Sequence, residues 1–400
     1  MGDDSPRVVL LAPYNGGLAV ARALVRRGEP VTVLANPGDS FTAHSRKVEG
    51  QVLPALDDGP DVWIDALKAH GPCVVLTGSD LASEFLAERR DELPGTVRAF
   101  ERDDDAHLAL LSKTTCYEIA DRAEVRRPLG ATVTTVEELD AVAHEMTYPC
   151  ILKPALSHLW RAVFGDDRVI LAESAAELVQ EGRRALVAGL ELVIGEYVPG
   201  ADSDVEEAIL VRAEDGSFPV AIGCRKIRQH PAGFGAASIC ETAPIEESMD
   251  MAKRLLDAAG YVGVAGVETK RHAETGERYL LEVNVRIPTQ FGLGDAAGGD
   301  SSWRLYATLA GLELGPEPEL RHGVKLVFPE LELHAALKRD GEGPGLMRRL
   351  GSWRGAGDLG IFDLRDPGPA LALLRRAGAS RIGRVVSRAT HRPGSPRTAL

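Results

Sequence analysis

Residues 7–37, RVVLLAPYNGGLAVARALVRRGEPVTVLANP, limit the choice of fold more than any other segment. An apolar run is followed by a glycine pair, an amphipathic helical stretch and a second apolar run. Two strands joined through a helix form a βαβ unit, which requires a parallel sheet. Residues 72–93, PCVVLTGSDLASEFLAERRDEL, repeat the strand, the turn and the helix. We therefore predict an open α/β domain over residues 1–112.

This domain lacks the marks of a dinucleotide-binding fold. The G-x-G-x-x-G pattern is absent, and Asn36 follows the second strand, where an acidic residue would bind a ribose. We favour a structural or substrate-side domain. A nicotinamide-dependent oxidoreductase built on this domain remains as an alternative.

Composition argues against several classes of partner. The chain has 400 residues, enough for about two to four packed units, with a net charge of -13 and a pI near 5.3. That charge argues against nucleic acid or an anionic membrane surface as the main partner. The five cysteines are never spaced as CxxC, no apolar run reaches the ~20 residues of a membrane span, and the first residues lack a signal-peptide pattern. We expect a soluble, cytoplasmic protein.

The middle of the chain mixes helices and short strands, from residue 113 to about 195. Residues 205–330 are rich in strands. We predict one hairpin that turns through residues 214–217 and a second over residues 263–285, GVAGVETKRHAETGERYLLEVNV. The remaining residues hold one or two helices and a frayed end.

Polar side chains share one face of the second hairpin. In LLEVNVRIPTQFG, residues 280–292, Glu282, Asn284 and Arg286 alternate with apolar residues, so they project to one side of a strand. Glu268 lies on the partner strand, where antiparallel pairing can bring the two carboxylates together. Oxygen ligands without cysteine or histidine favour Mg²⁺ or Mn²⁺ over zinc and suit the phosphates of ATP. A salt-bridged, solvated strand face is an equal alternative.

Two lysines and a turn stand upstream of this hairpin. Lys153 lies in YPCILKPA, an apolar run that predicts a buried strand, where an ammonium is unfavourable unless it reaches an anion or a cavity. A snorkelling edge lysine is the alternative. Lys113 stands at a predicted helix start, which favours a phosphate, although alone it has the character of a surface lysine. The turn EYVPG, residues 196–200, offers backbone groups to a flat base.

Taken in this order, the motifs resemble those of the ATP-grasp superfamily, over residues 1 to about 330. The chain is most similar to the carboxylate–amine ligases, such as D-aspartate ligase, with GCRKIRQHPAGFG and RHGVKLVFPE as shared segments. The resemblance implies a fold of class α/β and α+β: an ATP-grasp domain at 113–330, preceded by the open α/β domain. A mobile lid would span about 124–197, and a C-terminal extension at 331–400 would cover the site or form a homodimer contact.

The resemblance also assigns roles to individual residues. It assigns Lys113 and Lys153 to the phosphates of ATP, Glu196, Tyr197 and Val198 to the adenine, and Asp204, or else Ser203, to the ribose. It assigns Glu268, Glu282 and Asn284 to Mg²⁺ or Mn²⁺. Arg286 would stand beside the reacting carboxylate, while Arg225 and Lys226 would lie in a strand facing it and bind the γ-phosphate or a substrate carboxylate.

The lid loop departs from the family pattern. ALSHLWRAVFGD, residues 155–166, lacks the glycine run of many members. We expect Arg161 to help hold phosphates and Trp160 to pack. His158 is either a surface histidine or a catalytic one.

The reaction that the resemblance implies is ATP-dependent amide or peptide bond formation through an acyl phosphate, with release of ADP and phosphate. The substrates would be a small carboxylate and an amine, namely amino acids or short peptides. Two further readings stay open: an ATP-dependent carboxylase that activates bicarbonate, and a nucleotide-binding protein without enzymatic activity.

Overall fold

A computed structural model describes residues 5–101, 105–155, 160–165, 169–338 and 344–376. Their strands form three sheets of five, four and seven strands. Within these ranges no helix is both long and apolar enough to cross a lipid bilayer.

The five-stranded sheet is parallel throughout, in the order β3-β2-β1-β4-β5, as the βαβ pattern predicts. Buried apolar strands alternate with helices that cover the sheet. The elements in chain order are β1 (Arg7–Leu11), α1 (Tyr14–Arg27), β2 (Val31–Ala35), β3 (Glu49–Val52), α2 (Pro60–His70), β4 (Cys73–Thr77), α3 (Asp80–Glu88), β5 (Val97–Arg98) and α4 (Asp105–Leu111).

The four-stranded sheet is antiparallel, in the order β6-β9-β7-β8. Trp160 is 2% exposed and stacks on Phe164, with ring centroids 4.1 Å apart, inside the core of this unit. His158 lies outside the described residues. The elements are α5 (Lys113–Arg122), β6 (Gly130–Val133), α6 (Val136–Glu145), β7 (Cys150–Pro154), α7 (Arg161–Phe164), β8 (Ile170–Ala172), α8 (Ala175–Val187) and β9 (Leu192–Glu196).

The seven-stranded sheet has the order β14-β13-β10-β11-β12-β15-β16 and is antiparallel except for the pair β15–β16. Both predicted hairpins are confirmed, as β10–β11 and β13–β14. The elements are β10 (Val205–Arg212), β11 (Val220–His230), β12 (Ala236–Thr242), α9 (Glu246–Ala258), β13 (Gly263–Arg271), β14 (Arg278–Asn284), α10 (Gly292–Ala296), α11 (Ser301–Ala310), β15 (Lys325–Val327), α12 (Pro329–Lys338), α13 (Leu346–Ser352) and β16 (Ala356–Asp358).

The parallel sheet and the seven-stranded sheet share one hydrophobic core. Val8 and Leu10 of β1 belong to the same buried cluster as Ile209 of β10 and Ile222 of β11. Strand β16 extends the large sheet from beyond residue 330. The boundaries at 112 and 330 remain proposals, and both cut through structure that packs together.

A buried ion pair fastens the C-terminal segment to the first helix. Arg22 donates from Nε to Asp366 Oδ2 at 2.8 Å, and from its Nη atoms to the carbonyls of Gly360 at 2.7 Å and Ile361 at 2.9 Å. Asp366 also accepts from Ser45 Oγ at 2.7 Å. Arg22 and Asp366 are both about nine-tenths buried, so each charge depends on the other.

A buried carboxyl stands where the chain enters α1. Asp39 is fully buried, accepts from the Tyr14 backbone N–H at 3.4 Å through Oδ2, and finds no partner for Oδ1 in the described part of the chain. Burial raises its pKa from 3.8 to about 7. The folded protein therefore keeps a proton that the unfolded chain releases near pH 4.

The stability that Asp39 contributes should be complete below about pH 4 and lost as the pH rises to 7. The slope is at most about 1.4 kcal/mol per pH unit. We expect Asp39→Asn to unfold with a flatter dependence on pH than the parent between pH 5 and 7, measured as the thermal midpoint. The exposed Asp58→Asn is the control, and parallel pH curves for parent and Asp39→Asn would contradict the assignment.

Candidate active site

Three carboxylates stand in one row across neighbouring strands. Glu268 of β13 pairs directly with Glu282 of β14 on one side and with Glu207 of β10 on the other. Directly paired residues of an antiparallel sheet project to the same face, so the carboxylates share one side of the sheet. The predicted approach of Glu268 and Glu282 is confirmed.

Glu207 is a site residue that the sequence analysis missed. It is 1% exposed, and its Oε2 has no hydrogen-bond partner among the residues that the structure describes. Gly266 makes room for it, because a Cβ on Gly266 would collide with Glu207 Oε1. Burial, and then the neighbouring charge of Glu268, raise the pKa of Glu207 to about 8. Its neighbours on the same strand face, Val205 and Ile209, are both apolar, and a carboxyl between them was the signal that could have found it.

Lys226 lies against this row. Its Nζ is 2.8 Å from Glu268 Oε2 and 3.2 Å from Gln229 Oε1, and the residue is only 3% exposed. Burial works against its charge, but the carboxylates, Glu268 foremost, outweigh burial and raise the pKa of Lys226. The ammonium therefore stays charged inside the protein.

Lys113 and Lys153 approach the same carboxylates from other elements. Lys113 is the first residue of α5, as predicted, and its Nζ lies 3.8 Å from Glu282 Oε1. Lys153 lies on β7, in the predicted strand of the four-stranded sheet. Burial lowers the pKa of both lysines, against the opposing pull of Glu282. An additional anion beside them would keep both ammonium groups charged.

Arg286 follows the end of β14 and reaches the N-terminal unit. It donates from Nε to Asp80 Oδ1 at 2.9 Å, from Nη2 to Asn284 Oδ1 at 3.0 Å and from Nη1 to the Ile287 carbonyl at 3.3 Å. Burial alone would lower the pKa of Arg286, but the charge of Asp80 reverses this and raises it. Asp80, the first residue of α3, is a second site residue that the sequence analysis missed.

The structure corrects the placement of Arg225. Neighbouring residues of a strand face opposite sides, so Arg225 and Lys226 cannot both face the carboxylate row. Arg225 pairs in register with Glu206 and Glu241, half-exposed, with its Nη2 2.5 Å from Glu241 Oε1. Of these two residues, Lys226 faces the carboxylate row and Arg225 faces the opposite side of the sheet.

The predicted turn at residues 196–200 begins at the end of β9, in the four-stranded sheet. Glu196 is the last residue of β9; its carboxylate accepts from the Leu129 N–H at 2.9 Å, and its own N–H donates to the Leu129 carbonyl at 2.9 Å. Tyr197 packs between Phe234, with ring centroids 6.0 Å apart, and Lys270, whose Nζ is 5.3 Å from the ring. Val198 is 4% exposed.

The segment that follows residues 196–200 contains two aspartates, Asp202 and Asp204. Asp204 Oδ2 accepts from the Ala201 N–H at 2.7 Å and so closes its own turn. Asp202 accepts from the N–H and the Nε2 of Gln229, at 2.9 and 3.0 Å, and from the Gly233 N–H at 3.1 Å. Asp202 thus links the turn to Gln229, the partner of Lys226.

The comparisons with known proteins give the same picture of the fold. No family model matches the chain. The chain is 26% identical over 313 residues to the carbamoyl phosphate synthase large chain, N-terminal section, of Methanopyrus kandleri, which covers 71% of this chain and 50% of that protein. It is 24% identical over 268 residues to the D-aspartate ligase of Enterococcus faecium, covering 61% and 62%.

Solved structures superpose over most of the chain. An ADP complex of N5-carboxyaminoimidazole ribonucleotide synthetase matches with a TM-score of 0.64 at 17% identity, covering 85% of this chain and 89% of that chain. An L-amino acid ligase from Bacillus licheniformis matches with a TM-score of 0.62 at 15% identity, covering 81% and 80%. The chain has the ATP-grasp fold.

These matches are partial in length and low in identity. The chain spans half the length of the first relative and under two thirds of the second, and the structures, all below 25% identity, show the ATP-grasp fold alone.

The crevice where an α/β sheet commonly binds a dinucleotide is closed in this protein. That crevice lies at the carboxyl ends of β1 and β4, where the strand order reverses. A Cβ on Gly78 would lie 2.5 Å from Pro13 Cα, and a Cβ on Gly16 would collide with the Pro288 carbonyl. The Ile287 N–H donates to the Thr77 carbonyl at 3.0 Å. The chain after β14 thus occupies the crevice.

The oxygen donors suit a divalent cation that arrives with a nucleotide. Within the described ranges no three His, Cys, Asp or Glu side chains form a group that could hold a metal. The ligand set predicted from the sequence resemblance is two paired carboxylates, Glu268 and Glu282, with Asn284 two residues on. Mg²⁺ commonly binds one or two carboxylates and completes its shell with water and phosphate oxygens. The residues present fit that pattern.

Proposed function

We propose that the protein is an ATP-dependent carboxylate–amine ligase that forms an amide or peptide bond through an acyl phosphate. The observation that carries this proposal is the row Glu207, Glu268 and Glu282 faced by buried lysines. Acidic oxygens and ammonium groups on one sheet face suit a triphosphate with its divalent cations, because each sign of charge there has a partner on the ligand.

The lysines come from three different elements and so surround a phosphate chain. Lys226 projects from the large sheet, Lys113 from the start of α5 and Lys153 from the four-stranded sheet, which acts as the lid. A bound phosphate would offset the burial that lowers the pKa of Lys113 and Lys153. The adenine would lie on the main chain of Glu196 and Val198, beside Tyr197.

The ribose and the metal complete the nucleotide site. Asp204 takes the ribose through the oxygen that its turn leaves over, with Ser203 beside it. Glu268, Glu282 and Asn284 would hold Mg²⁺ or Mn²⁺, which neutralises the phosphates and draws electrons from the transferred phosphorus.

The acid to be activated would lie at Arg286. Three of its five N–H groups contact Asp80, Asn284 and Ile287, which fixes the guanidinium plane and leaves two N–H groups for a carboxylate. An oxygen of that carboxylate attacks the γ-phosphorus of ATP, ADP departs, and the product is an acyl phosphate. An amine then attacks the acyl carbon, phosphate leaves, and the amine loses a proton.

The substrates that we propose are amino acids or short peptides. Two similar proteins, the D-aspartate ligase and the L-amino acid ligase, are named for joining amino acids. The proposal is tested by ADP release from ATP and Mg²⁺ with amino acids offered singly and in pairs. We expect release that needs both an acid and an amine and that stops without Mg²⁺. Release that is independent of any amine would overturn the proposal.

A second candidate keeps the nucleotide site and changes the acceptor. The similar structure N5-carboxyaminoimidazole ribonucleotide synthetase bears the name of a carboxylated product, which favours bicarbonate as the activated acid. The same assay separates the two reactions. ADP release that needs bicarbonate and not an added amino acid would select the carboxylase.

A further inference from the structure

The segment that carries Arg286 is hydrogen-bonded to one helix of the N-terminal unit, α3. Asp80 and Ser83, three residues apart on α3, face this segment together. Asp80 accepts from Arg286 Nε at 2.9 Å, and Ser83 Oγ donates to the Val285 carbonyl at 2.9 Å. Val285 lies between Asn284 and Arg286, so one helix face controls the backbone and the side chain at the active site.

Ser83 is itself held by a fully buried polar cluster. Its Oγ lies 2.9 Å from Glu101 Oε1 and 2.9 Å from His107 Nε2, and Thr77 Oγ1 donates to the same Glu101 oxygen at 2.5 Å. Ser83 is 0%, Thr77 1%, His107 2% and Glu101 3% exposed. No substrate reaches these groups, so they cannot act as a Ser-His-Glu nucleophile.

Hydrogen-bonding capacity explains how the cluster directs Ser83. A hydroxyl has one proton to donate and lone pairs to accept with, whereas a carbonyl only accepts. An N–H on His107 Nε2 can donate to Ser83 Oγ, and Thr77 already donates to Glu101 Oε1. The single Ser83 proton has two acceptors at 2.9 Å, Glu101 Oε1 and the Val285 carbonyl. The cluster thereby holds the Ser83 hydroxyl within hydrogen-bond distance of the active-site segment.

The N-terminal unit makes hydrogen bonds to three successive residues of this segment. Val285 is held at its carbonyl by Ser83, Arg286 at its side chain by Asp80, and Ile287 at its N–H by the Thr77 carbonyl, 3.0 Å away. Buried polar groups are unfavourable unless they are bonded, and apolar side chains would fill the same space more simply. Here the Ser83 hydroxyl contacts the segment that follows β14, and the side chains of Thr77, Glu101 and His107 surround that hydroxyl.

We propose that Ser83, oriented by Thr77, Glu101 and His107, is a positioning residue that fixes Asn284 and Arg286 for phosphoryl transfer. The inference rests on the proposed function for the reaction concerned, but its structural part does not. Ser83 touches neither substrate nor metal. It acts through the Val285 carbonyl.

The test compares Ser83→Ala with Ser79→Ala in the full-length chain. Ser79 caps the same helix, with its Oγ accepting from the Ala82 N–H at 3.2 Å, and contributes to α3 without touching Val285. We expect Ser83→Ala to lower kcat about 10- to 100-fold, because a displacement of about 1 Å can have that effect, with KM for ATP changed less than about threefold. Ser79→Ala should lower the thermal midpoint yet keep kcat within about twofold.

Hydrogen exchange at the Ile287 amide supplies a readout that needs no reaction. We expect exchange at least about tenfold faster in Ser83→Ala and unchanged in Ser79→Ala. Parent-like exchange in Ser83→Ala, or equal losses of kcat in both variants, would overturn the inference. A parent protein that releases no ADP with any acid and amine would overturn the proposed function. Faster exchange at Ile287 in Ser83→Ala would still support the role of Ser83 in holding the segment after β14.

A milder variant covers the case in which Ser83→Ala does not fold. Thr77→Val removes the hydroxyl that contacts Glu101 and keeps the carbonyl that holds Ile287. A kcat lowered several-fold at unchanged KM supports the positioning role. Parent-like kcat in a folded Thr77→Val protein would overturn it.

Discussion

Replacing Glu282 with glutamine is expected to lower amine-dependent ADP release by about 10²- to 10³-fold, the usual effect of removing one charged contact to a transition state. Glu282 pairs in register with Glu268 and lies 3.8 Å from Lys113 Nζ. Glutamine keeps the shape and removes the negative charge that a divalent cation needs. The measurement is steady-state ADP release at saturating ATP and Mg²⁺.

The pH profile of the same variant adds a second signature. Glu282 is the main carboxylate that opposes the lowering of pKa at Lys113 and Lys153. Without it, both ammonium groups should lose their protons at lower pH than in the parent. Residual activity should therefore fall off at lower pH on the alkaline side.

Glu277→Gln is the matched control for this prediction. Glu277 lies in the same hairpin, at the surface, with Oε1 2.9 Å from Arg126 Nη1. Its loss should leave the rate within about twofold, because exposed ion pairs contribute little. A Glu282→Gln protein that turns over at the parental rate would show that this row does not hold the nucleotide's metal.

Replacing Lys226 with methionine is expected to destabilise the folded protein by about 3–5 kcal/mol, because it leaves buried carboxylates without their counter-charge. Lys226 is 3% exposed and its partner Glu268 16% exposed, with 2.8 Å between Nζ and Oε2. Glu207, which is 1% exposed, lies next in the row. The measurement is urea unfolding at pH 7.

Arg225→Met is the control, one residue away on the opposite face of the same strand. Its pair with Glu241 is half-exposed and should contribute about 0–1 kcal/mol. The double variant Lys226→Met with Glu268→Gln should recover part of the loss, because it removes the carboxylate that Lys226 contacts at 2.8 Å. Equal losses for Lys226→Met and Arg225→Met would contradict the description of Lys226 as the counter-ion of the row.

The elements of this protein that the sequence predicts correctly are those encoded by local sequence patterns. The βαβ unit, both hairpins and the helix start at Lys113 follow from patterns of about thirty residues or fewer. Alternation in β14 places Glu282 and Asn284 on one face, and the short turn brings Glu268 opposite Glu282. Arg286 departs from the pattern, since β14 ends at Asn284 and the guanidinium turns to Asp80.

The positions of the remaining site residues depend on strand pairings that no local sequence pattern reveals. Glu206 and Glu207 are adjacent in VEEAILV, and one of them must face each side of β10. Only the register with β13 shows that Glu207 joins the carboxylate row, while Glu206 accepts from Ser248 Oγ on the other face. The same uncertainty led both Arg225 and Lys226 to be placed at the site.

Contacts across domains are harder still to predict. Ser83 and Val285 are 202 residues apart, and Asp80 and Arg286 are 206 apart. In the sequence, Ser83 is one small residue in an amphipathic helix, with nothing to distinguish it from a packing residue. The closed crevice between β1 and β4 is likewise visible only when Pro288 is seen against Gly16.

The link between Arg22 and Asp366 joins positions 344 residues apart. At about 5–20 residues per second, a ribosome would deliver Asp366 roughly 20–70 seconds after Arg22 has emerged. During that interval the outer face of α1, including Leu18, lacks the Ile361 that covers it in the finished fold. The nascent chain should therefore expose apolar side chains on α1 until Ile361 has emerged, and holding chaperones should bind there during that interval.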